Sequence, residues 1–276
     1  MNRLYITDLD GTLLNKENHL SEKSIEILNT FIFNGGMFTY ATARSYNSAK
    51  YVTEGLITTV PIIVYNGAFI YDIPSKKYID GVFFTHYQLD EIIKLTNRFN
   101  YTPLVYTFIN GEEKVLWNKN GNLSEGFLYY LSNRKNDKRM MPVEDISHSF
   151  RGNVFYITFI ENYEKLLPLY NTIKENKLFN SVFQQEIYRP EYWCEIMPKS
   201  ANKANAIKRL KKMLGCDELI VFGDSLNDIP MFEIADKAYA VMNANDKLKQ
   251  IATETIGYNY EDSVALKLLE IEINQL

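Results

Sequence analysis

The alternation of apolar and polar positions changes character twice along the chain. Near the start, the apolar run Leu4-Tyr5-Ile6 gives way to Asp8-Leu9-Asp10-Gly11-Thr12, the pattern of a buried strand that stops at a polar loop. Ser21 can then cap a segment in which Ile25, Leu28, Phe31 and Ile32 recur at helical spacing, and Gly35-Gly36 ends it, which predicts a helix over 21–34. Two further short apolar runs follow. Met37 to Ala41 ends in Thr42-Ala43-Arg44, and Pro61 to Tyr65 ends in Asn66-Gly67. Strands separated by helical connections predict a parallel sheet that carries functional groups at its carboxyl ends, so Asp8, Thr42 and Asn66 should converge.

After residue 82 the pattern shifts. Leu89, Ile92, Ile93 and Phe99 mark a helix, but Val105 to Ile109, Asn110-Gly111 and Lys114 to Trp117 read as a hairpin around a favoured two-residue turn. A helix near 124–134, a strand from Val154 to Ile160, a helix near 162–176 and a strand from Ser181 to Gln185 complete an α+β set. This predicts an inserted domain over 83–188. Its aromatics Trp117, Phe127, Tyr129, Tyr130, Phe155 and Tyr156 stand at alternating or helical spacing and read as core, the alternative being a stack on a sugar or a flat cofactor.

From Tyr192 the first pattern returns. Trp193 to Met197 reads as a strand, and Asn202 to Leu214 as a helix whose apolar face is Ala206, Ile207, Leu210 and Leu214, stopped by Gly215. Leu219-Ile220-Val221-Phe222 then runs into Gly223-Asp224-Ser225-Leu226-Asn227-Asp228, a second pair of acids after a buried strand. The division is therefore 1–82 and 189–276 as an α/β core of parallel strands, with 83–188 inserted.

Composition narrows the class. With 276 residues and 46% hydrophobic content, the chain can bury a sizeable core. A net charge of -4 argues against a nucleic-acid surface, and Lys208-Arg209-Leu210-Lys211-Lys212 reads as a helix's solvent face. Cys194 and Cys216 show no metal or redox spacing and suit a reducing cytoplasm. A strand starting at residue 4 leaves no room for a signal peptide, and no apolar run approaches the ~20 residues of a membrane span. A soluble cytoplasmic protein is expected. His19, His86 and His148 are too far apart in sequence for a local metal site and read as solvated.

The acids carry the chemistry. Along an extended segment Asp8 and Asp10 point to one side, while Gly11 lets the backbone bend and expose its N–H. Lys203 opens a helix, where the dipole disfavours a cation; by itself it reads as a solvated surface lysine, unless something anionic lies nearby.

An Asp pair after the first strand, Thr42 after the second, Lys203 opening a later helix and Gly-Asp-x-x-Asn-Asp at 223–228 stand in the order found in the haloacid dehalogenase superfamily. With Asn66-Gly67-Ala68 and the large insertion, the chain resembles the Cof-like branch of these phosphatases over its whole length. The resemblance implies a Rossmann-like core, an inserted α+β cap and Mg²⁺-dependent hydrolysis of a small phosphate ester, such as a sugar phosphate, nucleotide or pyridoxal phosphate. Asp8 would be the nucleophile that becomes an aspartyl-phosphate, and Asp10 the acid and then the base. Thr42 and Lys203 would bind and neutralise the phosphoryl group. Leu9 and Gly11 would add main-chain N–H groups, and Ala43, Arg44, Asn66 and Asn227 would line the substrate side, although Arg44 and Asn66 could equally hold loops together. Asp8, the carbonyl of Asp10 and Asp224 would bind the metal, with Asp228 supporting it directly or through a water. The cap would close over the phosphate pocket and help select the leaving group. Clustered carboxylates repel without a cation, and Mg²⁺ favours such oxygen ligands.

Two positions depart from the family pattern. The common Thr-Gly-Arg is Thr42-Ala43-Arg44 here, and the glycine that usually follows the helix lysine is Ala204. Each loses some backbone freedom without replacing a reacting side chain. A phosphosugar mutase or phosphotransferase on a similar core, and a noncatalytic phosphometabolite-binding regulator, are the alternatives.

Overall fold

The computed structural model describes residues 2–185 and 189–273, and the chain divides into two compact units. One runs up to Gly81 and resumes at Asn202; the other is Val82–Ala201.

The first unit is built on a five-stranded parallel sheet in the order Glu254–Thr255, Lys237–Ala240, Glu218–Gly223, Arg3–Thr7, Met37–Tyr40. Leu4, Tyr5 and Ile6, and Leu219 to Phe222 beside them, are buried, as continuous apolar runs require when a strand is covered on both faces. The helix Glu22–Phe33 forms where its spacing predicts, and the Ser21 side chain accepts the Ser24 N–H at 2.9 Å. Lys203–Leu214 likewise ends at Gly215, which takes up a left-handed φ of 66°.

The third strand behaves differently from its sequence reading. Among the described residues, Ile62–Val64 meets the parallel sheet through one bridge, Ala41 to Ile63, and pairs antiparallel with Phe69–Asp72, which pairs in turn with Lys77–Gly81. The cause is local. Tyr65, Asn66 and Gly67 all have positive φ, at 52°, 52° and 92°, and turn the chain straight back on itself instead of into a helical crossover.

The second unit holds a six-stranded sheet in the order Phe179–Gln185, Tyr192–Pro198, Asn153–Glu161, Leu104–Ile109, Glu112–Asn118, Met140–Val143, with only the last pair parallel. Asn110 and Gly111 both sit at positive φ, 53° and 81°, as the tight hairpin turn requires. Helices His86–Phe99 and Tyr163–Lys174 bury Leu89, Ile92, Leu166, Leu169 and Ile173 against Val105, Ile157, Phe159, Cys194 and Ile196 on one face of the sheet.

One strand moves between units. Tyr192–Pro198, which the sequence reading places in the core, pairs antiparallel with both Phe179–Gln185 and Asn153–Glu161. The division therefore falls at 201/202 rather than at 188/189. An apolar strand pattern does not encode its neighbours, and the short link from Gln185 favours the antiparallel partner. Trp117, Phe127, Tyr130, Phe155 and Tyr156 are buried, but Tyr129 is 45% exposed and belongs to the surface. All three histidines are exposed.

Candidate active site

Parallel pairing puts Thr7 beside Phe222 on one side and Tyr40 on the other, so the chain leaves three adjacent strands at a common edge. Asp8, Asp224 and Thr42 follow those strands, and they gather there because strand direction is shared.

Lys203 enters this edge from the start of its helix. It is 1% exposed, which overturns its reading as a surface lysine. Its Nζ donates to Asp8 Oδ1 at 2.6 Å and to Asp228 Oδ1 at 2.7 Å, so the anionic partner that its helix position calls for is present twice. Asp228 accepts the main-chain N–H groups of Asp224 at 3.0 Å and Ser225 at 3.1 Å on its other oxygen. Gly67 lies against this helix start with a φ of +92°, and a Cβ there would fall 2.2 Å from the Asn202 carbonyl oxygen.

One carboxylate oxygen from each of Asp8, Asp224 and Asp228 lies within 4.8 Å of the others. Burial pushes the Asp8 carboxyl well above the usual carboxylate range; Lys203 opposes this, while Asp228 and Asp224 reinforce it. Burial and then Asp228 push Asp224 up to about 7, against a 2.9 Å hydrogen bond from the Thr12 hydroxyl. Burial works against charge on Lys203, but Asp228 and Asp8 outweigh it and hold the ammonium above its ordinary range. Three acids and one cation leave an excess of negative charge in a buried place. These hard oxygen donors fit a small divalent cation such as Mg²⁺.

The loop Asp8 to Thr12 is held from several directions. Gly11 has a φ of +76°, and a Cβ there would lie 2.5 Å from Asp224 Oδ2, so glycine is what allows the two acidic loops to approach. Asn243 Nδ2 donates to the Gly11 carbonyl at 2.7 Å, and Asn259 Nδ2 to that of Leu14 at 2.7 Å. Thr12, Asn243 and Asn259 escape the sequence reading. Thr12 lies within the first motif, whereas the two asparagines carry no local mark of their role.

Arg44 meets Asp10 side by side, with Nε 2.8 Å from Oδ2 and Nη2 2.5 Å from Oδ1. Thr42 is fully buried, and its Oγ1 accepts the Arg44 N–H at 3.1 Å. Asn227 Nδ2 donates to Asn66 Oδ1 at 3.1 Å, tying the second acidic loop to the turn after the third strand. The Leu9 side chain is packed in the core, and Ala43 is half-buried.

A family model described as haloacid dehalogenase-like hydrolase matches residues 5–268. A chain of Buchnera aphidicola subsp. Baizongia pistaciae, provisionally named a phosphatase, is 30% identical with 96% of both chains covered. The 5-amino-6-(5-phospho-D-ribitylamino)uracil phosphatase YitU of Bacillus subtilis is 25% identical, over 97% of this chain and 96% of that one. Among solved structures, a haloacid dehalogenase-like hydrolase from Bacteroides thetaiotaomicron superposes with a TM-score of 0.78 at 22% identity, covering 98% of this chain and all of the other.

Proposed function

The chain belongs to the haloacid dehalogenase-like hydrolases and is a phosphoric monoester hydrolase, and on that footing we propose that it hydrolyses small sugar or sugar-alcohol phosphates with Mg²⁺ through an aspartyl-phosphate on Asp8. The observation that carries this reading is the buried contact of Lys203 with both Asp8 and Asp228, beside Asp224.

An Asp8 carboxylate oxygen attacks phosphorus as the bond from phosphorus to the ester oxygen breaks, and Asp10 gives its proton to the departing alkoxide. Water then attacks the same phosphorus and passes a proton to Asp10, so phosphate leaves and the Asp8 carboxylate is restored. Lys203 holds Asp8 in line and offsets charge shared with the phosphoryl group. Because Thr42 Oγ1 already accepts the Arg44 N–H, its own proton is left to donate to a phosphate oxygen. The N–H groups of Leu9 and Gly11 complete the cradle.

Asp8, the Asp10 carbonyl and Asp224 would hold Mg²⁺, which when bound supplies positive charge to the phosphoryl oxygens. Asp228, held by Lys203 and by the N–H groups of Asp224 and Ser225, would support the ion directly or through a water. The ribityl phosphate in the name of the Bacillus relative favours a phosphorylated sugar alcohol as substrate class. We assign leaving-group selection to the inserted unit. Two free, buried cysteines suit the cytoplasm, and no helix among the described residues is long and apolar enough to cross a membrane.

A phosphate-release screen over phosphorylated metabolites, with and without Mg²⁺, tests the reading against Asp8→Asn and Asp10→Asn. Near-complete loss is expected in both variants. Ordinary turnover by Asp8→Asn, or turnover indifferent to Mg²⁺, would overturn it, and a phosphorylated product in place of free phosphate would make the protein a phosphotransferase.

A further inference from the structure

We propose that Arg44 is a positioning residue, which fixes the plane of the Asp10 carboxylate for the hydrolytic second step; this rests on the reading of Asp10 as the proton-transfer group. The geometry is a two-point contact, Nε to Oδ2 at 2.8 Å and Nη2 to Oδ1 at 2.5 Å, and two parallel donors define a plane where one defines only a direction.

The guanidinium is itself held. Nη1 donates to Ser48 Oγ at 3.2 Å, and Ser48 belongs to the helix Tyr46–Val52. At the main chain, the Arg44 N–H donates to Thr42 Oγ1 at 3.1 Å and the Arg44 carbonyl accepts the Tyr65 N–H at 3.0 Å. One of the guanidinium's two fork edges, that formed by Nε and Nη2, is thus taken by Asp10. A carboxylate has about four lone-pair sites, so Arg44 leaves sites free on both oxygens, and their directions are set by the plane it fixes. A water that must hand over its proton while attacking phosphorus depends on that direction.

The two chemical steps can be separated by leaving group. An aryl oxide such as p-nitrophenolate departs without a proton, so phosphoenzyme formation from its phosphate ester does not need an aligned Asp10, whereas hydrolysis of the aspartyl-phosphate always does. For p-nitrophenyl phosphate with Mg²⁺, Arg44→Met should lower kcat by about 10²-fold, the order expected of a misplaced reacting group. KM should fall in parallel, kcat/KM should stay within about threefold, and acid-quenched protein should carry a phosphoryl adduct on Asp8. Arg44→Lys, which can restore one donor but not the plane, should recover part of kcat. A higher KM with unchanged kcat would overturn the proposal in favour of a phosphate-binding arginine. Equal losses in kcat and kcat/KM accompanying a lower Tm would overturn it in favour of a structural one. Asp10→Asn is the control: if it accumulates no adduct, the assignment of Asp10 has failed, whereas an adduct in Asp10→Asn but not in Arg44→Met refutes the role of Arg44 alone.

Discussion

Asp228 and Lys203 are joined at 2.7 Å, and the remaining Asp228 oxygen is occupied by the N–H groups of Asp224 and Ser225. Asp228 is therefore a strut between the acidic loop and the lysine helix. Its hydrogen bonds fix where the ammonium sits before any substrate arrives.

Removing the cation leaves two buried acids facing each other. Lys203→Met should lower stability by about 3–5 kcal/mol at neutral pH, the usual cost of breaking a buried ion pair from one side. The deficit should shrink at pH 5, where an acid already displaced upward takes a proton instead of staying charged. Urea denaturation of both proteins at the two pH values checks this, and a neutral-pH midpoint equal to the parent's would contradict it.

Asp224 makes the metal-free protein sensitive to pH. Its carboxyl is pushed from 3.8 up to about 7 on folding, so the native state holds this proton more tightly than the unfolded chain. That contribution is complete below about 4 and is lost as pH rises through about 7. In EDTA, the urea midpoint of the parent should therefore fall over this range relative to Asp224→Asn. Excess Mg²⁺ should suppress the difference in slope, because the ion competes with the proton for the same oxygens. Parallel profiles in EDTA would count against the burial of this acid.

Two glycines separate backbone strain from collision. Gly67 and Gly35 both have φ near 90°, but a Cβ at Gly67 would lie 2.2 Å from the Asn202 carbonyl, whereas at Gly35 it would meet nothing within 4 Å. Gly67→Ala should cost about 1–3 kcal/mol more than Gly35→Ala, the range for overpacking a closed site. Because the collision is with the residue before Lys203, only Gly67→Ala should also lower kcat. Thermal melts and phosphate release on the two variants decide it; equal effects would remove the link between this turn and the lysine.

Much of the core was legible because an apolar run that ends abruptly in acids announces both a buried strand and the edge where its chemistry lies. Asp8 and Asp224 are of this kind. Lys203 was only half legible: its misfit with the helix dipole called for an anion, but the sequence did not say that the whole side chain would be buried with two of them. The sheet that takes Tyr192–Pro198 was not legible, since alternation records which face is apolar and not which strand lies alongside. Nor was the bond from Asn243 to Gly11, which joins residues 232 apart through a side chain common in any loop.

The central strand of the core, Arg3–Thr7, lies between Met37–Tyr40 and Glu218–Gly223. A ribosome delivers one of those neighbours early and the other only after the whole insertion has been made. Val82–Ala201 is continuous and can fold while its surroundings are still incomplete, whereas the opening segment waits with an open strand edge and with Asp8 lacking its lysine. During synthesis, then, the order of events is imposed by connectivity: the inserted unit can mature first, and the acidic edge is assembled only when the chain has come back to close it.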